Sequence, residues 1–151
     1  MERQCDMSNV YIFDLDGTLA DVTHRLHHIR KSTPDWNSFN HACEDDTPIP
    51  HVVELNRILS VKHGIIICSG RSNDVENKTV SWLIKHSINY DKLYMRRAKD
   101  FRSDEIVKKE MLDHILGLGH CIKGVFDDKD KVVNMWRENG IPCYQVAKGD
   151  F

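Results

Sequence analysis

The sequence predicts an α/β fold: a central parallel sheet of about five strands between helical layers, with a small helical flap inserted after the first strand. Three observations predict it. Short apolar runs alternate with helical patterns along most of the chain, the pattern of βαβ units. Several of these runs end abruptly in acids or in Ser-Gly. One segment, about residues 20–50, breaks the alternation with Pro34, Pro48, Pro50 and a cluster of histidines. Right-handed crossovers set every strand C-terminus along one edge, which is where open α/β sheets bind ligands. The expected organisation is one domain, residues 1–151, with a core of about 8–19 and 51–151 and the flap at about 20–50.

Each element has its own signal. Val10–Phe13 is an apolar run ending at Asp14. Residues 51–62 place Val52, Leu55, Ile58 and Leu59 at helical spacing, and Gly64 reads as the helix stop. Ile65–Cys68 is a continuous apolar run, as in a strand buried on both faces, and Ser69-Gly70 closes it. A helix is expected over 73–86, with Val75, Trp82, Leu83 and His86 near one side. Lys92–Met95 is a short strand. Residues 104–116 read as a helix clustering Ile106, Val107, Met111, His114 and Ile115. Ile122–Phe126 is a strand ending at Asp127, and 129–139 a helix stopped by Gly140. Residues 141–146 close the set, with Pro142 marking an edge strand.

Composition narrows the function classes. The 151 residues carry 21 basic and 23 acidic side chains, a net charge of −2. That argues against a protein that coats long nucleic acid through a global positive field, but not against contact with a phosphorylated end. No apolar stretch approaches the ~18 residues of a membrane span, and residues 1–10 lack an apolar signal core. A cytoplasmic protein is expected. Cys5, Cys43, Cys68, Cys121 and Cys143 are odd in number and form no C-x-x-C pair, so they read as reduced and mostly buried.

The strongest chemical signal is Asp14-Leu-Asp16-Gly17-Thr18 directly after the first strand. Alternation puts Asp14 and Asp16 on one side of the chain as it leaves the sheet. Two carboxylates so close repel unless a cation lies between them. Hard oxygen ligands of this kind suit Mg²⁺, which shares its shell with phosphate. A carboxylate neutralised in this way can attack phosphorus, and its neighbour can serve as acid and then base. Read alone, the same motif is also a strand-end turn with solvated acids. Other strand ends reduce that reading. Ser69-Gly70-Arg71 brings a hydroxyl, backbone amides and a guanidinium to the same edge, and Asp127-Asp128 adds acids. Lys108, early in a helix, supplies a cation, although by itself it reads as a solvated helix lysine.

These four motifs, in this order, resemble the haloacid dehalogenase (HAD) superfamily of phosphotransferases over about residues 10–151. The resemblance implies a HAD-like Rossmannoid three-layer sandwich. It implies Asp14 as nucleophile, Asp16 as general acid/base, and Ser69 and Lys108 as the groups that hold and neutralise the phosphoryl group. Mg²⁺ is then held by Asp14, the Asp16 carbonyl, Asp127 and Asp128, with Asp128 direct and Asp127 through water. Asp16 favours a phosphatase over a dehalogenase. A narrower resemblance is to the phosphatase domains of T-even-type phage polynucleotide kinase/3′-phosphatases. It rests on Ser69-Gly70-Arg71, on 104–110, on Asp127-Asp128 with 132–137, and on 143–151. It implies removal of 3′-phosphates from DNA or RNA ends, in the cytoplasm of an infected host. No G-x-x-x-x-G-K-[ST] loop is present, so the expectation is a stand-alone phosphatase without a kinase domain.

Lesser features leave alternatives open. A helix over 22–31 would carry His24, His27 and His28 beside Arg25, as a substrate-contact face, a solvated face or a metal site. Arg96, Arg97, Lys99 and Arg102 are either a solvated loop or a strand contact, with Arg96 nearest the sheet. Trp36 and Phe39 either stack on a base or pack the flap. Trp82 and Trp136 read as core. Thr18 supports its turn and stands with Gly70, Arg71, His24, Arg25 and Arg96 as the substrate-side residues. Beside the 3′-phosphatase, two other functions stand: a 5′-nucleotidase acting on free monophosphates, and a non-catalytic phosphate-binding module.

Overall fold

The computed structural model describes residues 6–151, so Cys5 lies outside the described residues. Seven strands and five α-helices follow in the order β1 (Asp6–Phe13), β2 (Ala20–Asp21), α1 (Trp36–His41), β3 (Thr47–Pro48), α2 (Pro50–Ser60), β4 (His63–Ser72), α3 (Glu76–Lys85), β5 (Lys92–Arg96), α4 (Asp104–Gly117), β6 (Cys121–Asp127), α5 (Asp130–Glu138) and β7 (Cys143–Gln145). Five strands form one parallel sheet, ordered β5-β4-β1-β6-β7. No described helix is long and apolar enough to cross a membrane.

The period of two along the central strands builds a core on each face of the sheet. Val10, Ile12, Ile66 and Cys68 join Val107, Leu112, Ile115, Val133 and Trp136 from α4 and α5. Phe13, Ile65 and Ile67 join Val52 and Val53 of α2 and Trp82 and Leu83 of α3 on the other. A register shift inserts Lys123 between Ile122 and Gly124 of β6. A Cβ on Gly124 would stand 2.9 Å from the Tyr144 ring and 3.2 Å from that of Tyr11, so the close approach of these rings needs glycine.

Several expectations shift. The buried residues of α2 are Val52, Val53, Asn56 and Ser60, while Ile58 is 61% exposed. The helix is turned this way because Asn56 exchanges hydrogen bonds with the Asn89 backbone, and Asn89 donates to Ser60. Gly64 does not stop α2: it lies within β4, where a Cβ would meet Met7 Sδ at 2.5 Å. In α4, Ile106 and His114 are exposed, and the buried row is Val107, Lys108, Met111, Leu112 and Ile115. The helix expected over 73–86 opens as a separate 3₁₀ turn, Asn73–Val75, because the Ser72 side chain accepts from the Asp74 amide. Cys43, Cys68 and Cys143 are buried free thiols, and Cys121 is exposed.

Between β1 and α2 the chain leaves the sheet. β2 and β3 form a two-residue antiparallel neck, Ala20 with Pro48 and Asp21 with Thr47. Beyond it stand a 3₁₀ turn (Thr23–His28), α1, and a second 3₁₀ turn (Cys43–Asp45). The helix expected over 22–31 is therefore only six residues of 3₁₀. Asp35 caps α1 by accepting from the Ser38 amide. Val22, Leu26 and Phe39 make a small core of their own, with Phe151 against it.

Candidate active site

At the C-terminal end of β1, Asp14 points into a buried cluster at the floor of an open cavity of about 820 Å³. Lys108 Nζ, 2% exposed on α4, donates to Asp14 Oδ1 and to Asp127 Oδ2, each at 2.9 Å. Asp127 is otherwise fully engaged: its Oδ1 accepts from the Asp128 amide at 2.8 Å, and its Oδ2 from Trp136 Nε1 at 3.3 Å. Thr18 Oγ1 lies 3.3 Å from Asp14 Oδ2 and 3.2 Å from Asp128 Oδ1. Carboxylate oxygens of Asp14, Asp127 and Asp128 all lie within 4.8 Å of one another.

Charge in this cluster is unbalanced. Burial first, then the Asp127 charge, push the Asp14 carboxyl well above its ordinary range, against the pull of Lys108. Burial also pushes Asp128 up. Lys108 goes the other way: burial opposes its charge, but Asp127 and Asp14 outweigh it and hold the ammonium protonated. Among the described residues, Asp128 Oδ2 is the buried side-chain oxygen with no hydrogen-bond partner. It sits between two glycines. A Cβ at Gly17 would come within 2.1 Å of it and one at Gly149 within 2.2 Å, and Gly17 has φ +82°. A buried, unpartnered carboxylate oxygen beside two further acids is a donor set for a hard divalent cation.

Asp16 belongs to a second cluster. Its Oδ1 accepts from Arg25 Nη2 and Arg71 Nε, both at 2.8 Å. Asp46, at the end of the flap, accepts from the same two arginines: Arg25 Nε at 2.8 Å and Nη2 at 2.7 Å, and Arg71 Nη2 at 3.0 Å. Burial works against the Asp16 charge, but the guanidiniums of Arg71 and Arg25 hold its carboxyl below the usual range. Arg71 reaches this position because Gly70 and Arg71 bulge out of the β4–β5 ladder between Ser69 and Ser72.

The placement of the other expected residues differs. The Arg25 and Arg71 side chains are wholly buried, so their planar donors are spent on the two aspartates, on Phe39 O and on Thr79 rather than turned to solvent. Neither Arg25 nor His24 lines the cavity, and the His24 ring bonds Asp46 at 2.7 Å. Ser69 is buried, its Oγ accepting from the Arg71 amide at 3.1 Å. Arg96 lines the cavity but is engaged by Gly70 O, Asp100 O, Arg102 O and the Asp104 carboxylate. Gly70 lines the cavity with its backbone, beside Asp14 and Asp16. Phe39 is core, 2% exposed, whereas Trp36 is 49% exposed. Sequence reasoning missed Asp46, Asp104 and Gly149. Asp46 ends the acidic run Glu44-Asp45-Asp46, in which nothing local marks the buried member.

Residues 8–151 match the family model of the polynucleotide kinase PNKP phosphatase domain. A protein of Autographa californica nuclear polyhedrosis virus, provisionally named a bifunctional polynucleotide kinase/RNA ligase, is 30% identical over 131 residues, 85% of this chain and 18% of that protein. A chain of the Pnkp1/Rnl/Hen1 RNA repair complex superposes with a TM-score of 0.83 at 31% identity, covering 100% of this chain and 46% of that one. The chain thus spans less than half the length of these relatives. The haloacid dehalogenase-like hydrolase SP0104 of Streptococcus pneumoniae shares the fold, with a TM-score of 0.57 at 14% identity over 90% of this chain and 83% of that one. The chain belongs to the PNKP phosphatase-domain family, of haloacid dehalogenase type, and is a phosphoric monoester hydrolase.

Proposed function

We propose that the protein is an Mg²⁺-dependent polynucleotide 3′-phosphatase working through a phosphorylated Asp14. The observation that carries this is the unpartnered Asp128 Oδ2 beside Asp14 and Asp127 at the floor of the open cavity. Asp14, Asp127, Asp128 and the Asp16 carbonyl would hold the cation. Asp128 would bind directly, because Asp127 is already satisfied by Lys108, Trp136 and the Asp128 amide. When bound, Mg²⁺ neutralises phosphoryl oxygens so that an anionic nucleophile can approach.

The chain's own groups do the rest. An Asp14 carboxylate oxygen attacks phosphorus, and the bond from phosphorus to the 3′ oxygen breaks. Lys108, held protonated by its two aspartates, balances charge on the transferred group with the help of Ser69, Thr18 and the Gly70 backbone. Asp16 gives its proton to the departing 3′ oxygen. In the second step Asp16 takes a proton from water, whose oxygen attacks phosphorus. The bond to Asp14 breaks, phosphate leaves, and both aspartates return to their starting states. Arg25 and Arg71 keep Asp16 ionised in the resting protein; a phosphoryl dianion at Asp14 raises its proton affinity, so Asp16 takes up a solvent proton as the substrate binds and returns one to solvent after phosphate leaves.

Support for a strand end as substrate is the family match and a cavity larger than a phosphoryl group needs. The setting proposed is the cytoplasm. The test is phosphate release with Mg²⁺ from an oligonucleotide phosphorylated at 3′, the same oligomer phosphorylated at 5′, and free 3′- and 5′-nucleotides. Strong preference for the 3′-phosphorylated oligomer is expected. Preference for a free 5′-nucleotide would overturn the reading in favour of a nucleotidase, and binding without turnover in favour of a phosphate-binding module.

A further inference from the structure

Two large aromatic side chains stand exposed on the cavity that holds Asp14 and Lys108, one on the flap and one on the β5–α4 loop. Trp36, in α1, is 49% exposed and set edge-on to Phe39, ring centroids 5.5 Å apart at 84°. Phe39 is itself buried beneath the Arg25 guanidinium, 4.2 Å from its ring centroid, so Trp36 rests on a fixed base. Phe101 is 92% exposed.

The loop that carries Phe101 is tied down at many points. Arg96 donates to Asp100 O and Arg102 O, the Arg102 guanidinium bonds the carboxylates of Asp100 and Glu110, and the Ala98 amide donates to Asn73 Oδ1 at 3.0 Å. Lys99 adopts φ +66°, a left-handed turn that non-glycine residues rarely take. Among the described residues Phe101 is the most exposed large apolar side chain, and it stands on the lining of the cavity. Exposed cations line the same cavity: Arg97 and Lys99 precede Phe101 in the loop, and Lys131 lies at the start of α5. Aromatic faces interleaved with cations are how single-stranded nucleic acid is held, by base stacking and backbone neutralisation.

We infer that Trp36 and Phe101 capture the bases at the phosphorylated end, with Arg97 and Lys99 on the adjoining phosphodiesters. The inference rests on the polynucleotide reading above and makes the terminal base, as well as the phosphate, part of what is recognised. Stacking on one aromatic side chain strengthens binding by about five- to 150-fold, without preference among bases.

The test uses two 3′-phosphorylated oligonucleotides, alike except that one is abasic at its last two positions. The wild-type protein should favour the base-bearing oligomer about tenfold or more in kcat/KM. Trp36→Ala and Phe101→Ala should each cut that ratio several-fold, and Phe101→Tyr should restore it. Direct binding of both oligomers to the Asp14→Asn protein gives a second reading independent of turnover. Equal use of the two oligomers by the wild type with equal binding of both by Asp14→Asn, or an unchanged ratio in both alanine variants, would overturn the capture site. Absence of phosphate release from either oligomer would refute the 3′-phosphatase reading, and the binding comparison would still decide the capture site.

Discussion

Replacing Asp46 by asparagine keeps the side-chain volume but removes one of two carboxylates that neutralise Arg25 and Arg71. The four groups sum to zero charge, all but Asp16 wholly buried at the side chain. Oδ2 of Asp46 accepts from both guanidiniums, at 2.7 and 3.0 Å, and Oδ1 accepts from Arg25 Nε at 2.8 Å. An amide can present only one oxygen to these donors, so its NH₂ group must face at least one N–H. At an effective dielectric of about 20, one such ion pair is worth about 6 kcal/mol before desolvation is counted. Removing one partner of a buried pair costs about 3–5 kcal/mol, because the remaining charge is stranded. Against a total stability of about 5–15 kcal/mol, that is a large share. With a urea slope of about 2 kcal/mol/M, the midpoint falls by about 2 M. The assay is urea unfolding followed by tryptophan fluorescence, to which Trp82 contributes beside Asp46, its Nε1 donating to Asp46 O. Asp45→Asn, on an exposed neighbour, is the control and should stay within about 0.5 kcal/mol. The Asp46→Asn/Arg25→Met double variant should lose less than the sum of the single variants. A loss below about 1 kcal/mol for Asp46→Asn, or strict additivity in the cycle, would refute the reasoning.

Three further outcomes follow from the same geometry. Gly149→Ala places a Cβ 2.2 Å from Asp128 Oδ2 and 2.8 Å from its Cγ, so the carboxylate must move. Destabilisation of about 1–3 kcal/mol and weaker Mg²⁺ binding by calorimetry are expected. For pH dependence, Asp14 and Asp128 have raised carboxyls, that of Asp128 reaching about 6. The folded protein therefore holds protons that the unfolded chain has released, and its metal-free stability falls as pH rises from about 4 through 6. Mg²⁺ replaces those protons, so the gain in urea midpoint over EDTA should be larger at pH 8 than at pH 5; an equal gain would contradict the cluster's role. Arg96→Ala removes the side chain that four acceptors share, and tryptic cleavage after Arg97 and Lys99 should accelerate while the urea midpoint changes little.

The five core strands were legible because each is an apolar run with a polar stop at the site edge or a proline at the sheet edge. The same stops carry Asp14, Asp127 and Asp128, and the topology that brings them together follows from parallel crossovers alone. Lys108 shares the buried helical row of Met111, Leu112 and Ile115, but a lysine at that spacing reads as solvated until the acids at the neighbouring strand ends are placed beside it. What stayed hidden depends on long-range pairing. The facing of α2 is set by Asn56 and Asn89, 33 residues apart. The inward turn of Arg71 depends on a bulge in the β4–β5 ladder, and it is met by Asp46, 25 residues before it. The contact of Gly149 with Asp128 needs the return of the chain beyond β7 over the site.

Asp14 is the residue on which the proposed chemistry turns. An oligonucleotide carrying a radiolabelled 3′-phosphate, mixed with the protein and Mg²⁺ and quenched in acid within milliseconds, should leave base-labile label on the wild-type protein and none on Asp14→Asn, which should also release no phosphate. Undiminished phosphate release by Asp14→Asn, or turnover by the wild type with no label at Asp14 at any quench time, would contradict it.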